Sequence, residues 1–165
     1  MRKVVQGGLV VALATCLGAF AADATFTTKS LTPETALKAA LAALAKCRAD
    51  GYQVAVAVVD RAGLTQVLLR DRYAGAHTVD FATNKAWSAV SFRTNTRDLE
   101  RATRPNESMS GLRHMPRATA VGGGVMVEGG GALMGGIGVS GAPGGDADHV
   151  CATAGLKAIA DDLEF

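Results

Sequence analysis

The sequence predicts an α+β fold, a three-layer α-β-α sandwich of about five largely antiparallel strands with helices on both faces. Three observations carry this expectation. Apolar residues recur at helical spacing after Thr32-Pro33 and again after Thr78. Between those stretches, two β-favouring runs are joined by a turn of hairpin length, which only an antiparallel pair allows. Finally, Ala118 to Gly145 holds twelve glycines among Val, Ile, Leu and Met, a density that no helix tolerates, so it reads as glycine-punctuated strands.

Thr32, Pro33 and Glu34 open the first helix: a hydroxyl to cap free amides, a proline where no amide is needed, and an acid at the positive end of the dipole. Leu37, Ala40, Leu41, Leu44 and Cys47 give it one buried stripe, and Gly51 ends it after Asp50. Gln53 to Val59 is apolar almost throughout, the mark of a central strand. Asp60-Arg61-Ala62-Gly63 is its hairpin turn, and Leu64 to Arg70 is its partner. Helical period returns from Thr78 to about Arg93, with Val79, Ala82, Ala86, Ala89 and Val90 on one face and Asp80, Asn84 and Lys85 off it. Thr96 caps a shorter helix through Ala102, and an irregular loop from Arg104 to Pro116 follows. The glycine-rich segment supplies about three strands, and a last helix runs from Asp146 to near Leu163 with Val150, Cys151, Ala154 and Ala158 inward. This order, with short connections, resembles the profilin-like architecture.

Arg2 and Lys3 precede an uncharged apolar run, Val4 to Phe20, and Ala19-Phe20-Ala21 places small residues where a signal peptidase reads. Residues 1–21 are therefore expected to be a secretory signal peptide cleaved before Ala22. Residues 22–165 would remain as a single domain, periplasmic or secreted, with no stable membrane span. Loss of Arg2 and Lys3 takes the basic residues from 17 to 15 against 15 acids, so the mature chain is about neutral and offers no basic nucleic-acid face. Two cysteines survive, Cys47 and Cys151. An oxidising compartment permits a disulfide between them, and two buried thiols are the alternative.

Several chemistries lack their motifs. Gly136-Ile137-Gly138-Val139-Ser140-Gly141 has the dinucleotide register without the acidic residue about twenty positions on, and no phosphate-binding loop ending in Gly-Lys-Ser/Thr occurs. Ser140 fails the spacing of a nucleophile elbow, so no catalytic residue is assigned. Three isolated histidines give no zinc spacing. Asp146 and Asp148 beside His149 complement a helix start without a metal.

Four segments carry a family resemblance: Ala55-Val-Ala-Val-Val-Asp-Arg-Ala-Gly63, Asn84-Lys-Ala-Trp-Ser-Ala-Val-Ser-Phe92, Gly111-Leu-Arg-His-Met-Pro116 and Gly135-Gly-Ile-Gly-Val-Ser-Gly-Ala-Pro-Gly-Gly-Asp146. In their order and spacing they closely resemble the GlcG/HbpS family of haem-binding proteins, over residues 31–162. The resemblance implies an exported homo-oligomer that binds haem and iron, for buffering, uptake or slow haem degradation. Two other functions stay open: binding of a small metabolite in organic-acid metabolism, as enzyme or accessory factor, and an extracytoplasmic interaction module for a membrane sensor.

The haem b implied here would be held non-covalently, since no Cys-x-x-Cys-His occurs. It needs an axial donor, an apolar slot and cations for its propionates. His114 is the first candidate donor, with Arg113 and Arg117 for propionates and Met115 for contact or a sixth ligand; Met109 is also near in sequence. His77, just before the second helix, is the second candidate donor. Trp87 could stack on a flat ligand or serve the core. For a small anionic metabolite, the amides of Gly122, Gly123 and Gly124 are the candidate cradle.

Overall fold

A computed structural model describes residues 24–164. The expected export signal, residues 1–21, and its cleavage point lie outside the described residues. Helix α1 spans Pro33–Ala49, followed by β1 (Ala55–Asp60), β2 (Thr65–Arg70), α2 (Thr78–Phe92), α3 (Thr96–Ala102), β3 (Gly124–Gly129), β4 (Ala132–Ser140) and α4 (Gly145–Ala158). Short 3-10 turns occupy Ser110–His114 and Ala160–Leu163. The first cap forms as its residues require: Thr32 Oγ1 accepts the Thr35 N–H at 3.2 Å with Pro33 at the first position.

The strands make one antiparallel sheet in the order β2-β1-β4-β3. It has four strands where about five were expected. The missing one is the stretch before Gly124, two of whose amides are taken by side chains. Ser88 Oγ accepts the Thr119 N–H at 2.9 Å and Glu100 Oε2 accepts the Gly122 N–H at 3.1 Å, which leaves no ladder to join. The remaining glycine-rich residues form one hairpin whose turn, Gly130-Gly131, takes φ of 54° and 75°, a pair of values that glycine adopts without steric cost.

Helices α1 and α4 cover one face of the sheet and α2 the other, the expected three layers. Strand β1 serves both, because successive side chains alternate. Val56 and Val58 face α1 and α4, whereas Ala55, Ala57 and Val59 face α2. On the α2 side the sheet is shaved to small residues. A Cβ on Gly138 would collide with the Ala82 carbonyl, and one on Gly136 would stand 2.9 Å from the Ala86 carbonyl, so helix backbone rests almost on strand backbone.

The same economy of size corrects the α1 stripe. Ala36, Ala39, Ala40, Ala43, Leu44 and Cys47 are buried, while Leu37 and Leu41 are 42% and 52% exposed, because an alanine face lets α1 approach α4 closely. On α4, Cys151, Ala152 and Gly155 point inward and Val150 points out. At that contact Cys47 and Cys151, 104 positions apart in sequence, are joined as a disulfide with Cα atoms 5.5 Å apart.

Candidate functional site

The N-terminal half of α2 and the turn between β4 and α4 form the two walls of a cleft of about 630 Å³, within the range of small-ligand sites. His77 stands at its rim, exposed, directly before the first residue of α2. Its ring meets Phe81 edge-on, with centroids 6.1 Å apart, and folds over Gly75, where a Cβ would come within 2.7 Å of the ring. Thr78 secures the helix start by donating its hydroxyl to the Gly75 carbonyl at 2.7 Å. Tyr73, Phe81 and Val121 line the same cleft and are exposed at 79%, 45% and 36%. An imidazole beside exposed aromatic and aliphatic faces fits a flat macrocycle that takes an axial nitrogen.

At the cleft floor lies a pair that sequence reasoning placed on the surface. Lys85 Nζ donates to Asp148 Oδ2 at 2.6 Å and to the Val139 carbonyl at 3.0 Å, and Asp148 Oδ1 accepts the Ala142 N–H at 2.9 Å. Both side chains are almost wholly buried. Burial pushes the Lys85 ammonium pKa down and the Asp148 carboxyl pKa up, each opposed by attraction to the other. Lys85 had one legible signal, its place three residues after Ala82 and four before Ala89 on a helix whose buried arc includes both. The partner, 63 residues away, had none.

The glycines beside this pair make close contacts, and two of the three amides named as a candidate anion cradle have partners within the protein. Gly122 gives its N–H to Glu100 and Gly124 gives its N–H to Thr96 Oγ1 at 2.7 Å. Gly123, at φ 118°, leaves room where a Cβ would meet Asp148 and the Val139 carbonyl at 2.7 Å. Of these amides, that of Gly122 is held by the Glu100 carboxylate.

The loop candidates separate. His114 ends the exposed 3-10 turn and does not line the cleft. Arg113 donates through Nε to the Thr103 carbonyl at 2.7 Å and through Nη2 to the Glu100 carbonyl at 3.1 Å, so it closes the end of α3. It also lines a smaller hollow that shares Phe81 and Val121 with the cleft. Arg117 lies over the Trp87 ring at 4.7 Å, and Trp87 also packs on Gly63 and edge-on against Phe92. One face of the indole is therefore covered by a cation. Met115 is exposed next to His114. Asp148 is committed to Lys85 and Asp146 pairs with Arg97 at 2.9 Å; among the described residues no metal-binding group of acids, histidines and cysteines forms.

Solved structures of similar chains share this fold. HbpS of Streptomyces reticuli, in a double-mutant crystal structure, superposes with a TM-score of 0.77 at 39% identity, covering 87% of this chain and 97% of that one. The structure of a PduOC:heme complex gives a TM-score of 0.74 at 28% identity, over 79% of this chain and 95% of that one. The corrinoid adenosyltransferase PduO of Citrobacter freundii is 37% identical over 98 residues, 57% of this chain but only 29% of that enzyme. The family model for haem degrading protein HbpS-like matches residues 31–157, which take in the whole sheet, the cleft walls and the Lys85–Asp148 pair, and this chain belongs to that family.

Proposed function

We propose that this protein is an exported haem-binding protein that takes up haem b reversibly and non-covalently in the cleft between α2 and the β4–α4 turn. The observation that carries the reading is His77, an exposed imidazole among Tyr73, Phe81 and Val121, in a family with a heme-bound relative. His77 would be the axial donor and Phe81 and Val121 the apolar contacts. Arg113, which lines an adjoining hollow with Phe81 and Val121, would be the candidate cation for a propionate. Haem held there supplies an iron centre able to exchange electrons and small ligands. His77 is preferred to His114 because it lines the cleft with Tyr73, Phe81 and Val121, whereas His114 does not line it.

Hemin titration, followed by the Soret band, tests this. His77→Ala should weaken binding by on the order of a hundredfold, the loss of one axial bond, and His114→Ala and His149→Ala should weaken it much less. If His114→Ala is the damaging change, the site is the 113–117 loop; if hemin does not titrate, the haem reading fails. Export is tested by intact mass, which should correspond to a chain beginning at Ala22.

The PduO match favours a second reading, a domain that serves corrinoid handling by taking a different macrocycle in the same cleft. Hydroxocobalamin titrated in place of hemin distinguishes the two.

A further inference from the structure

Between Arg93 and Arg117 the chain holds six arginines and no lysine, against three acids, Asp98, Glu100 and Glu107. In a mature sequence of about zero net charge this segment is a local cationic surplus. Three of the six are gathered. Arg97, Arg101 and Arg104 lie four and three residues apart on α3 and the turn after it, a spacing that puts them on one side. All three line a hollow of about 290 Å³ between α3 and the start of α4, which borders the His77 cleft at Gly145 but does not include His77.

The acids of this hollow hold the arginines weakly or are engaged elsewhere. Arg97 pairs with Asp146, whose side chain is 82% exposed, and Arg101 pairs with Asp98 across one turn with both side chains at least half exposed. Such exposed pairs contribute little and exchange readily. The Glu100 carboxylate accepts the Gly122 N–H. Among the described residues no carboxylate pairs with Arg104. Arginine also differs from lysine in kind, because its planar fork offers two parallel N–H groups to two oxygens of one anion.

We infer that the hollow between α3 and α4 is a second site, which binds a small phosphate-type oxyanion of two or more negative charges through Arg97, Arg101 and Arg104. The anion takes the place of the exposed Asp146 and Asp98 side chains and uses no residue proposed to hold haem.

Pyrophosphate is the probe, titrated calorimetrically into the exported protein at low salt, roughly 50 mM, where screening is modest. Saturable binding of one anion per chain is expected, together with a rise in melting temperature. Arg101→Ala/Arg104→Ala should weaken it by about tenfold or more, the loss of charge-assisted contacts, with an unliganded melting temperature close to wild type. Arg101→Lys/Arg104→Lys, which keeps the charge, should still weaken it, whereas Arg61→Ala in the β1–β2 turn should not. Hemin affinity should be the same in all of these proteins, so a failure of the haem reading and of this one are distinguishable. Absence of saturable pyrophosphate binding, equal affinity in the double-alanine variant, or binding only to phosphatidic acid vesicles would overturn the small-anion site.

Discussion

Lys85 Nζ stands 2.6 Å from Asp148 Oδ2 with both side chains shut away from water, and this contact ties the helix that follows His77 to the turn forming the opposite wall of the cleft. Desolvation works against both charges, and their attraction with the Val139 and Ala142 backbone contacts offsets it.

Removing one partner should expose that balance. Lys85→Met is expected to lose about 3–5 kcal/mol in urea unfolding, since it leaves a buried carboxylate unpaired. Lys85→Met/Asp148→Leu should recover most of the loss. In the single variant Asp148 keeps the burial that raises its pKa and loses the lysine that lowers it. Folding then favours the protonated acid. The stability contributed by Asp148 is fully present below the ordinary carboxylate range and lost as pH rises through the raised value, so the deficit of the variant should shrink toward acid.

The Cys47–Cys151 bond closes most of the described chain into one loop. In the loop-entropy account a closure of about 100 residues stabilises by roughly 4–5 kcal/mol. Reduction should therefore lower the melting temperature substantially, and alkylation of the native oxidised protein should label neither cysteine. Two reactive thiols without reductant would show that the bond is absent.

Backbone contact at Gly138 makes that position intolerant. Gly138→Ala drives a methyl into the Ala82 carbonyl and should cost about 1–3 kcal/mol or more through overpacking. Gly111→Ala, with nothing near its Cβ position, should be neutral or slightly stabilising. Equal effects in thermal melts would contradict the close seating of α2 on the sheet.

His149 is partly buried near Arg97, and its Nδ1 has no partner. Burial first and the Arg97 charge second hold its pKa below the usual 6.5. The folded state therefore prefers neutral imidazole. Its stability contribution is present above pH 6.5 and is lost as pH falls through the lowered folded-state value. Melting temperature measured across that window should fall less steeply in His149→Gln than in wild type.

Much of the fold is written in local residue choice. Thr32-Pro33-Glu34 opens α1, Gly130-Gly131 turns the β3–β4 hairpin, and Asp60 Oδ1 accepts the Ala62 and Leu64 amides at 2.8 and 2.9 Å in the β1–β2 turn. Each of these is decided within about five residues of chain, where capping and φ preferences act. The four family segments were legible for the same reason, as ordered strings of residues. The two cysteines were visible on helices, but their bond depends on α1 and α4 meeting.

What only the tertiary structure decided depends on pairs distant in sequence. Periodicity put Lys85 off the apolar face of α2, yet whether that ammonium faces water or Asp148 depends on where the β4–α4 turn comes to rest. Glu100 and Thr96 take the Gly122 and Gly124 amides that might have held an anion. The depth of α1 against α4 exposes Leu37 and Leu41 and buries alanines. Packing also places His77, and not His114, in a cleft with Tyr73, Phe81 and Val121, which is the ground for proposing it as the haem donor. Local propensity sets which segments form helix and strand, whereas burial, ion pairing and the walls of a cleft are properties of two segments at once, which no single window of residues contains.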